Sequence, residues 1–365
     1  MASCSLQFTG DISLDRRLSK PDSQPRLSES ARWLTLNLPD ADIRVVNWES
    51  PLEGDEGEHE MDKPIVGTNP AASLSMLGFR IDVATIANNH IFDFKGSGVR
   101  NTIEFLEKNS VRTVGAGNSP SKAYEPLHLD VNGLPLTFLA YVGRDTNPPL
   151  EQDAMYVRVL EHEQALRTVR KWSNRGRKVI VSFHWGLEYE AYPNPKQRAF
   201  AREVIENGAM VVACHHAHRL QGHEQWMNGH IFYGLGNFIF GLEGDECWPF
   251  FTNSTAVACC TIDDINVSDA KMIHLKQAEG SFSHSDPQES MDLEKRLNWP
   301  LKLSSRSYPK FWRLANIFHL IYEKPVEAFQ RRGAEALLKI NRDHLKSLAK
   351  ALSFGKLKRR RKKSR

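Results

Sequence analysis

The chain has 365 residues, of which 41% are apolar and 25% charged, with 23 Gly and 18 Pro. That composition excludes a disulfide-stapled miniprotein, a collagen-like repeat and a disordered polymer, and the length leaves room for one large domain or two smaller ones. The net charge of +4 conceals an asymmetry, because eight of the 48 basic residues (Lys356, Lys358, Arg359, Arg360, Arg361, Lys362, Lys363 and Arg365) crowd the end, and the rest of the chain, with 44 acidic side chains, is mildly acidic.

In chain order, residues 1–283 alternate short apolar runs with helix-like segments, the pattern of an α/β domain. One helix is predicted over Val99–Lys108, after the turn Gly96-Ser97-Gly98, with Val99, Ile103 and Leu106 on one face. A second is predicted from Lys196 to about Asn207, stopped by Gly208. Residues 284–308 are polar, carry Pro287 and Pro300, and read as a connection. Residues 309–354 read as a helical extension: the stripe Phe311, Trp312, Leu314, Ile317, Phe318 and Ile321 is expected to pack on the main domain, and Leu338, Leu345, Leu348 and Leu352 recur at helical spacing. Residues 355–365 form the basic tail, read either as a solubilising end or as a contact for an anionic membrane surface, where each Lys or Arg contributes about 1 kcal/mol.

No stretch reaches the roughly 20 apolar residues that cross a bilayer, and the first residues lack the basic and apolar regions of a secretory leader. The five cysteines (Cys4, Cys214, Cys247, Cys259, Cys260) are odd in number and do not read as a disulfide framework. A reducing, cytoplasmic setting is therefore expected, with the inner membrane face as a peripheral location.

The informative pattern lies at the end of each apolar run. Leu6–Phe8 leads into Thr9-Gly10-Asp11, Ile43–Val46 into Asn47-Trp48-Glu49, and Val83–Ala87 into Asn88-Asn89-His90. Val179–Phe183 leads into His184-Trp185-Gly186, Met210–Ala213 into Cys214-His215-His216-Ala217-His218, and Ile231–Leu235 into Gly236-Asn237. Ligands of open α/β sheets bind outside the carboxyl ends of strands, so these six ends are expected to meet at one site. Carboxylates (Asp11, Glu49), amides (Asn47, Asn89) and imidazoles (His90, His184, His216, His218) form a mixed oxygen and nitrogen set suited to Mn, Fe or Zn rather than Ca.

Taken one at a time the pieces have blander readings. Asp11 alone is a turn or cap, Glu49 a loop carboxylate, and His216 and His218 surface histidines, although alternate residues of an extended segment also point the same way and can grip an ion. Cys214 reads as a small buried residue and Glu53–Glu60 as a solvated loop.

As an ordered set they are similar to the bacterial capsule-synthesis family of CapA type, named for poly-γ-glutamate synthesis. The pieces that carry the resemblance are Phe-Thr-Gly-Asp-Ile-Ser-Leu (8–14), Ala-Asp-Ile-Arg-Val-Val-Asn-Trp-Glu-Ser-Pro-Leu (41–52), Ala-Asn-Asn-His-Ile-Phe-Asp-Phe-Lys-Gly-Ser-Gly (87–98), Val-Gly-Ala-Gly-Asn-Ser (114–119), His-Trp-Gly-Leu-Glu-Tyr (184–189), His-His-Ala-His-Arg-Leu-Gln-Gly (215–222) and Tyr-Gly-Leu-Gly-Asn-Phe-Ile-Phe (233–240). That family resembles the calcineurin-like metallophosphoesterases, which implies a four-layer α/β/β/α sandwich with one or two divalent ions at strand ends. The resemblance makes Asp11, Glu49, Asn89, His184, His216 and His218 the metal ligands and His90 the proton donor to a leaving group. Two departures stand out: Asp11-Ile12-Ser13 has a hydroxyl where the phosphoesterase motif Asp-x-His has an imidazole, and Glu49 replaces a bridging aspartate, so one of the two ions is expected to be weak or missing. Cys214 and Ala217 also depart from the family's usual Gly and Pro without removing a ligand.

The chemistry implied is hydrolysis of a phosphoester by metal-activated water. Asn47 and Asn237 as polar groups at strand ends, Lys95, Arg219 and Gln221 as residues close to the ligands in sequence, and Trp185, Glu188 and Tyr189 in a loop that reads equally as pocket wall or rigid packing are the expected substrate contacts. The expected partners are an anionic polymer or phosphoester substrate and components of a capsule synthase. The rival expectation is a non-catalytic accessory protein that uses the cleft to bind polymer or a synthase. The basic tail is the sole pointer to nucleic acid, and without a fold signature a nucleic-acid partner is not expected.

Overall fold

The computed structural model describes residues 2–15, 17–55, 65–241, 253–278 and 281–319. Ile321, the predicted helical repeat of Leu338 to Leu352, the basic tail, Cys247 and most of the acidic stretch lie outside these residues. The first half of the chain runs β1 (Cys4–Ser13), α1 (Gln24–Asn37), β2 (Ile43–Trp48), α2 (Pro70–Met76), β3 (Val83–Thr85), α3 (Lys95–Lys108), β4 (Arg112–Val114), β5 (Ala116–Gly117), α4 (Pro120–Ala123), β6 (Leu127–Val131) and β7 (Leu134–Val142). It continues through β8 (Glu151–Gln152), β9 (Met155–Val157), α5 (His162–Ser173), β10 (Lys178–His184), α6 (Pro195–Glu206), β11 (Ala209–His215), β12 (His223–Trp226), β13 (Gly229–Phe232) and β14 (Asn237–Phe240). The last described elements are β15 (Ser254–Ile262), β16 (Val267–Ala278), β17 (Ser281–His284), α7 (Pro287–Asn298) and α8 (Tyr308–Phe318).

Two large mixed sheets result, one ordered β17-β16-β15-β1-β2-β3-β4 with β14 also paired to β1, the other β12-β13-β11-β10-β7-β6. In the second sheet the inner and outer faces alternate residue by residue. Phe138, Ala140, Ile180, Val211 and Phe232 join the main core with β1–β4, whereas Leu139, Tyr141, Val179, Val181 and Val212 join a second core with Val169 of α5 and Phe200 and Val204 of α6. On the other side Leu27, Ala31 and Leu34 of α1, Met76 of α2 and Leu106 of α3 close the first sheet. The layers are thus helix, sheet, sheet, helix, the α/β/β/α order expected from the resemblance, because each sheet has one face for its partner sheet and one for helices.

Local chemistry explains most of the boundaries. In α6 the Asn194 side chain accepts from the backbone N–H groups of Lys196 and Gln197 while Gln197 reaches back, a full capping box with Pro195 at the first position. Gly208 then ends it in the left-handed region, φ +103°. The helix predicted from Val99 begins earlier, at Lys95, and takes in both glycines of the expected turn. A Cβ on Gly98 would press on Phe94 and the Leu52 carbonyl, so there glycine serves close approach rather than a bend. The expected connection 284–308 holds α7 and a 3-10 turn, with Asp286 accepting from Gln288 and Glu289 N–H groups. Pro287 occupies the first turn, where a missing N–H costs nothing, and so starts a helix instead of breaking one.

Candidate metal centre

Parallel pairing of β1 with β2 and β2 with β3 points three carboxyl ends the same way in the first sheet, and that of β7 with β10, β10 with β11 and β11 with β13 points four the same way in the second. The sheets meet at these ends. The backbone N–H of His216, just past β11, donates to Asp11 Oδ2 of β1 at 3.2 Å. Asp11 sits where the pairing of β1 with both β2 and β14 slips register, an irregularity that re-aims its side chain. Its neighbour Gly10 lies so close to Gly236 that any Cβ would overlap the Gly236 carbonyl, and Asp11 N–H donates to that carbonyl at 2.9 Å.

From the first sheet come the two carboxylates, Asp11 at 1% and Glu49 at 0% exposure. Glu49 is set by its N–H donating to Ile12 O at 2.8 Å. Asn88 shapes the next turn, its amide donating to Trp48 O at 2.8 Å and its oxygen accepting from His90 N–H at 3.0 Å. That leaves Asn89 and His90 to face the site. Asn89 Oδ1 is 2.7 Å from His184 Nε2, and His90 Nε2 is 3.9 Å from Glu49 Oε1. His90 Nδ1 is gripped by Asp93 Oδ2 at 2.6 Å, and Asp93 also accepts from Val66 N–H at 2.9 Å.

From the second sheet come four imidazoles. His184 ends β10, with Nε2 3.1 Å from His216 Nδ1 and 3.9 Å from Glu49 Oε1. His218 Nε2 is 3.7 Å from Glu49 Oε1 and its Nδ1 is 3.5 Å from Asp11 Oδ2. His215 Nδ1 approaches Asp11 Oδ1 at 3.0 Å. His216 and His218 converge through left-handed backbone, φ +84° and +51°, not through the extended segment expected from their spacing. Strand β11 stops at His215, and such φ values at non-glycine residues persist only where surroundings enforce them.

Burial and charge decide the protonation states. Burial drives His184 well below its usual pKa, and the neighbouring imidazoles His216, His215, His218 and His90 push the same way, so it is neutral. Burial would raise Asp11, but the hydrogen bond and charge of His215, followed by His218 and the Asn47 amide, hold it below its ordinary value. Two enclosed carboxylates carry a large desolvation cost that a bound cation would offset. The donor chemistry fits one. Asp11, Glu49 and His184 each offer an atom within 4.8 Å of the others, and so do Glu188, His216 and His218. Hard oxygens with imidazole nitrogens suit first-row divalent ions. Thiolate is not part of the set, since Cys214 is fully buried in the helix-covered core and burial pushes its thiol far up.

Several residues expected to touch substrate hydrogen-bond the candidate ligand side chains or the loop beside them. Asn47 Nδ2 donates to Asp11 Oδ1 at 2.9 Å and lies 3.2 Å from His184 Nδ1, and Asn237 Oδ1 meets His218 Nδ1 at 2.8 Å, the outer support that ligand imidazoles require. Gln221 Nε2 donates to Glu190 O at 2.8 Å, and Arg219 Nη1 to Tyr189 O at 3.3 Å, so both brace the loop that carries Glu188. The ring of Tyr189 lies 6.2 Å from that of His218. Trp185 belongs to a loop that reads equally as pocket wall or as packing, and its indole stacks on Phe183 at 4.3 Å in the helix-covered core. Lys95 starts α3, half-buried. Two residues escaped the sequence reading, Asp93 and His215. Both stood in quoted motifs, Asp93 three positions beyond His90 and His215 beside His216.

The chain also matches known proteins. The family model described as bacterial capsule synthesis protein PGA_cap matches residues 5–242. The chain is similar to the PGA biosynthesis protein CapA of Bacillus subtilis (28% identity, covering 69% of this chain and 66% of the relative) and to the capsule biosynthesis protein CapA of Bacillus anthracis (27%, covering 76% and 68%). It thus spans about two thirds of the length of these relatives. Among solved structures, a 5'-nucleotidase precursor from Thermus thermophilus aligns with a TM-score of 0.48 at 13% identity, covering 82% of this chain and 59% of that one. Among the described residues no helix is long and apolar enough to cross a membrane. With the matched residues enclosing every side chain of the cluster just described, from Asp11 to Asn237, the chain belongs to the bacterial capsule synthesis protein family, PGA_cap.

Proposed function

We propose that this chain is a metal-dependent phosphoester hydrolase acting in capsule or exopolymer synthesis. The observation that carries the reading is the convergence of two triads of metal donors with the His90–Asp93 pair at one junction of the two sheets. One or two ions of Mn, Fe or Zn bound there would lower the pKa of a coordinated water and so supply the nucleophile. Asp11, Glu49 and His184 bind from the enclosed side, with Asn89 adding its amide oxygen. Asn47 and Asn237 fix their orientation. Asp93 holds the Nδ1 proton of His90, aims Nε2 at the centre and stabilises the imidazolium. His90 then gives its Nε2 proton to the departing oxygen as the phosphorus–oxygen bond breaks, and takes one back from solvent.

A candidate place for the rest of a substrate lies beside the residue that follows His218 in sequence. A cavity of about 450 Å³ opens beside Arg219, immediately after His218, and is walled by Tyr192, Leu297, Phe311 and Trp312. A cation next to apolar and aromatic walls suits an anionic group on an organic carrier, and Lys95 remains a candidate for the phosphate.

The test is hydrolysis of bis(p-nitrophenyl) phosphate by protein reconstituted with Mn²⁺ or Zn²⁺, with His90→Ala and His216→Ala alongside. Turnover that needs metal and is lost in both variants supports the reading. Protein that retains no metal and turns over no phosphodiester, with His216→Ala indistinguishable from wild type, overturns it in favour of a polymer-binding accessory role.

A further inference from the structure

We propose that Glu188 is a metal ligand, forming with His216 and His218 a second, solvent-facing cation subsite that takes over from the imidazole absent at position 13. The inference rests on the metal-centre reading above and assigns Glu188 a role different from the substrate contact expected from its sequence position.

Position 13 offers no ligand nitrogen, and its hydroxyl is committed elsewhere. Ser13 is fully buried and its Oγ donates to Asp15 Oδ1 at 3.1 Å. A centre relying on Asp11, Glu49 and His184 would be short of donors on its open side. There Glu188, His216 and His218 bring three donor atoms within 4.8 Å of one another. Both histidines are almost wholly buried, 4% and 2% exposed, while Glu188 is exposed. The enclosed rings provide direction, and the carboxylate provides charge from a place where keeping it ionised costs little.

The loop bearing Glu188 is built to stay there. Tyr189 N–H donates to Ala217 O at 2.8 Å, which ties the residue after Glu188 to the residue between the two histidines. Glu190 is held twice, its carbonyl by Gln221 Nε2 at 2.8 Å and its carboxylate by Asn316 Nδ2 of α8 at 2.7 Å. Tyr189, His216 and His218 all adopt left-handed φ, +66°, +84° and +51°. A solvated loop would not be expected to keep three such conformations at the contact between two segments. Oxygen and imidazole donors on a partly open rim suit a divalent ion that exchanges, in contrast to the enclosed triad.

The test titrates metal-free, full-length protein with Mn²⁺ by calorimetry and counts retained metal by mass spectrometry, for wild type, Glu188→Gln and Glu188→Asp. Wild type is expected to show a tighter and a weaker event. Glu188→Gln should weaken the weaker event about tenfold or more, in the range that loss of a metal-supporting group produces, and leave the tighter one within about twofold. Glu188→Asp should recover part of the loss. Both events unchanged in Glu188→Gln, or one event of equal affinity in all three proteins, overturns the role of Glu188 while the metal centre stands. Wild type that binds no Mn²⁺ overturns both. Simultaneous loss of both events with an unaltered circular-dichroism melt overturns the division into two subsites.

Discussion

The molecule ties two knots of imidazole and carboxylate, and it finishes them differently. In the outer one, where β12, β13, β16 and α7 meet, Glu294 Oε1 pairs with His274 Nε2 at 2.9 Å, Oε2 lies 3.8 Å from His223 Nε2, and His223 Nδ1 meets His230 Nε2 at 2.9 Å. One carboxylate serves two rings, and hydrogen bonds from His223 and His274 hold it down to about 2. In the central knot two carboxylates are shut away from water and the deepest ring is neutral. The same residue types make a hydrogen-bonded latch where the carboxylate is partly solvated, and a candidate cation centre where two carboxylates are enclosed.

The sharpest way to break that contrast is Glu49→Gln. Retained metal and phosphodiester turnover should both fall to background, while the metal-free protein at pH 8 should melt higher, because a buried charge has gone. Melting curves with and without Mn²⁺ check this, and a metal-free protein that melts lower would contradict it. Next in size, His90→Ala should reduce kcat by about 10²- to 10⁴-fold with metal content unchanged. Asp93→Asn should cost less and displace the pH profile of kcat, since it disturbs the orientation and charge of His90 rather than removing the ring. On the outer side Glu294→Gln should lower stability by about 1–3 kcal/mol, the cost of leaving buried partners unmatched, without changing metal content.

The remaining effect is the pH dependence of stability. Burial, followed by the charge of His223, lowers the pKa of His230 from 6.5 to about 3. Folded His230 is therefore neutral while the unfolded ring takes up a proton, and stability is lost as pH falls from 6.5 toward 3. Glu294, lowered from 4.5 to about 2, contributes stability above pH 4.5 that is lost as pH falls toward 2. Denaturant titrations between pH 7 and 3 should show this decline, flattened above pH 4.5 in a His230→Gln variant.

Range along the chain separates the features that were legible in the sequence from those that were not. The six polar strand ends were legible because each is a local change from apolar to polar, and parallel pairing does the rest. Asp93 and His215 were not, because their importance lies in a turn and in the distance to β1, neither of which spacing reveals. Asn47 and Asn237 were legible as polar groups at strand ends, but their hydrogen bonds to Asp11 and His218 depend on side-chain direction, which the sequence does not give. Pro287 was misleading because the same residue ends one helix and begins another, and the Asp286 cap decided between them. Trp185 follows a ligand on a strand end, and neighbouring strand residues face opposite ways. The cavity around Arg219 is formed by residues far apart in the chain, and no motif encodes its shape.

The contact between Gly10 and Gly236 has a consequence for how this chain can vary. Because the strand bearing Asp11 crosses the Gly236 carbonyl with no space for a methyl group, even alanine at position 10 would have to push two strands apart and swing Asp11 off its bearing. This crossing admits a single letter of the amino-acid alphabet, and the aim of Asp11 depends on it.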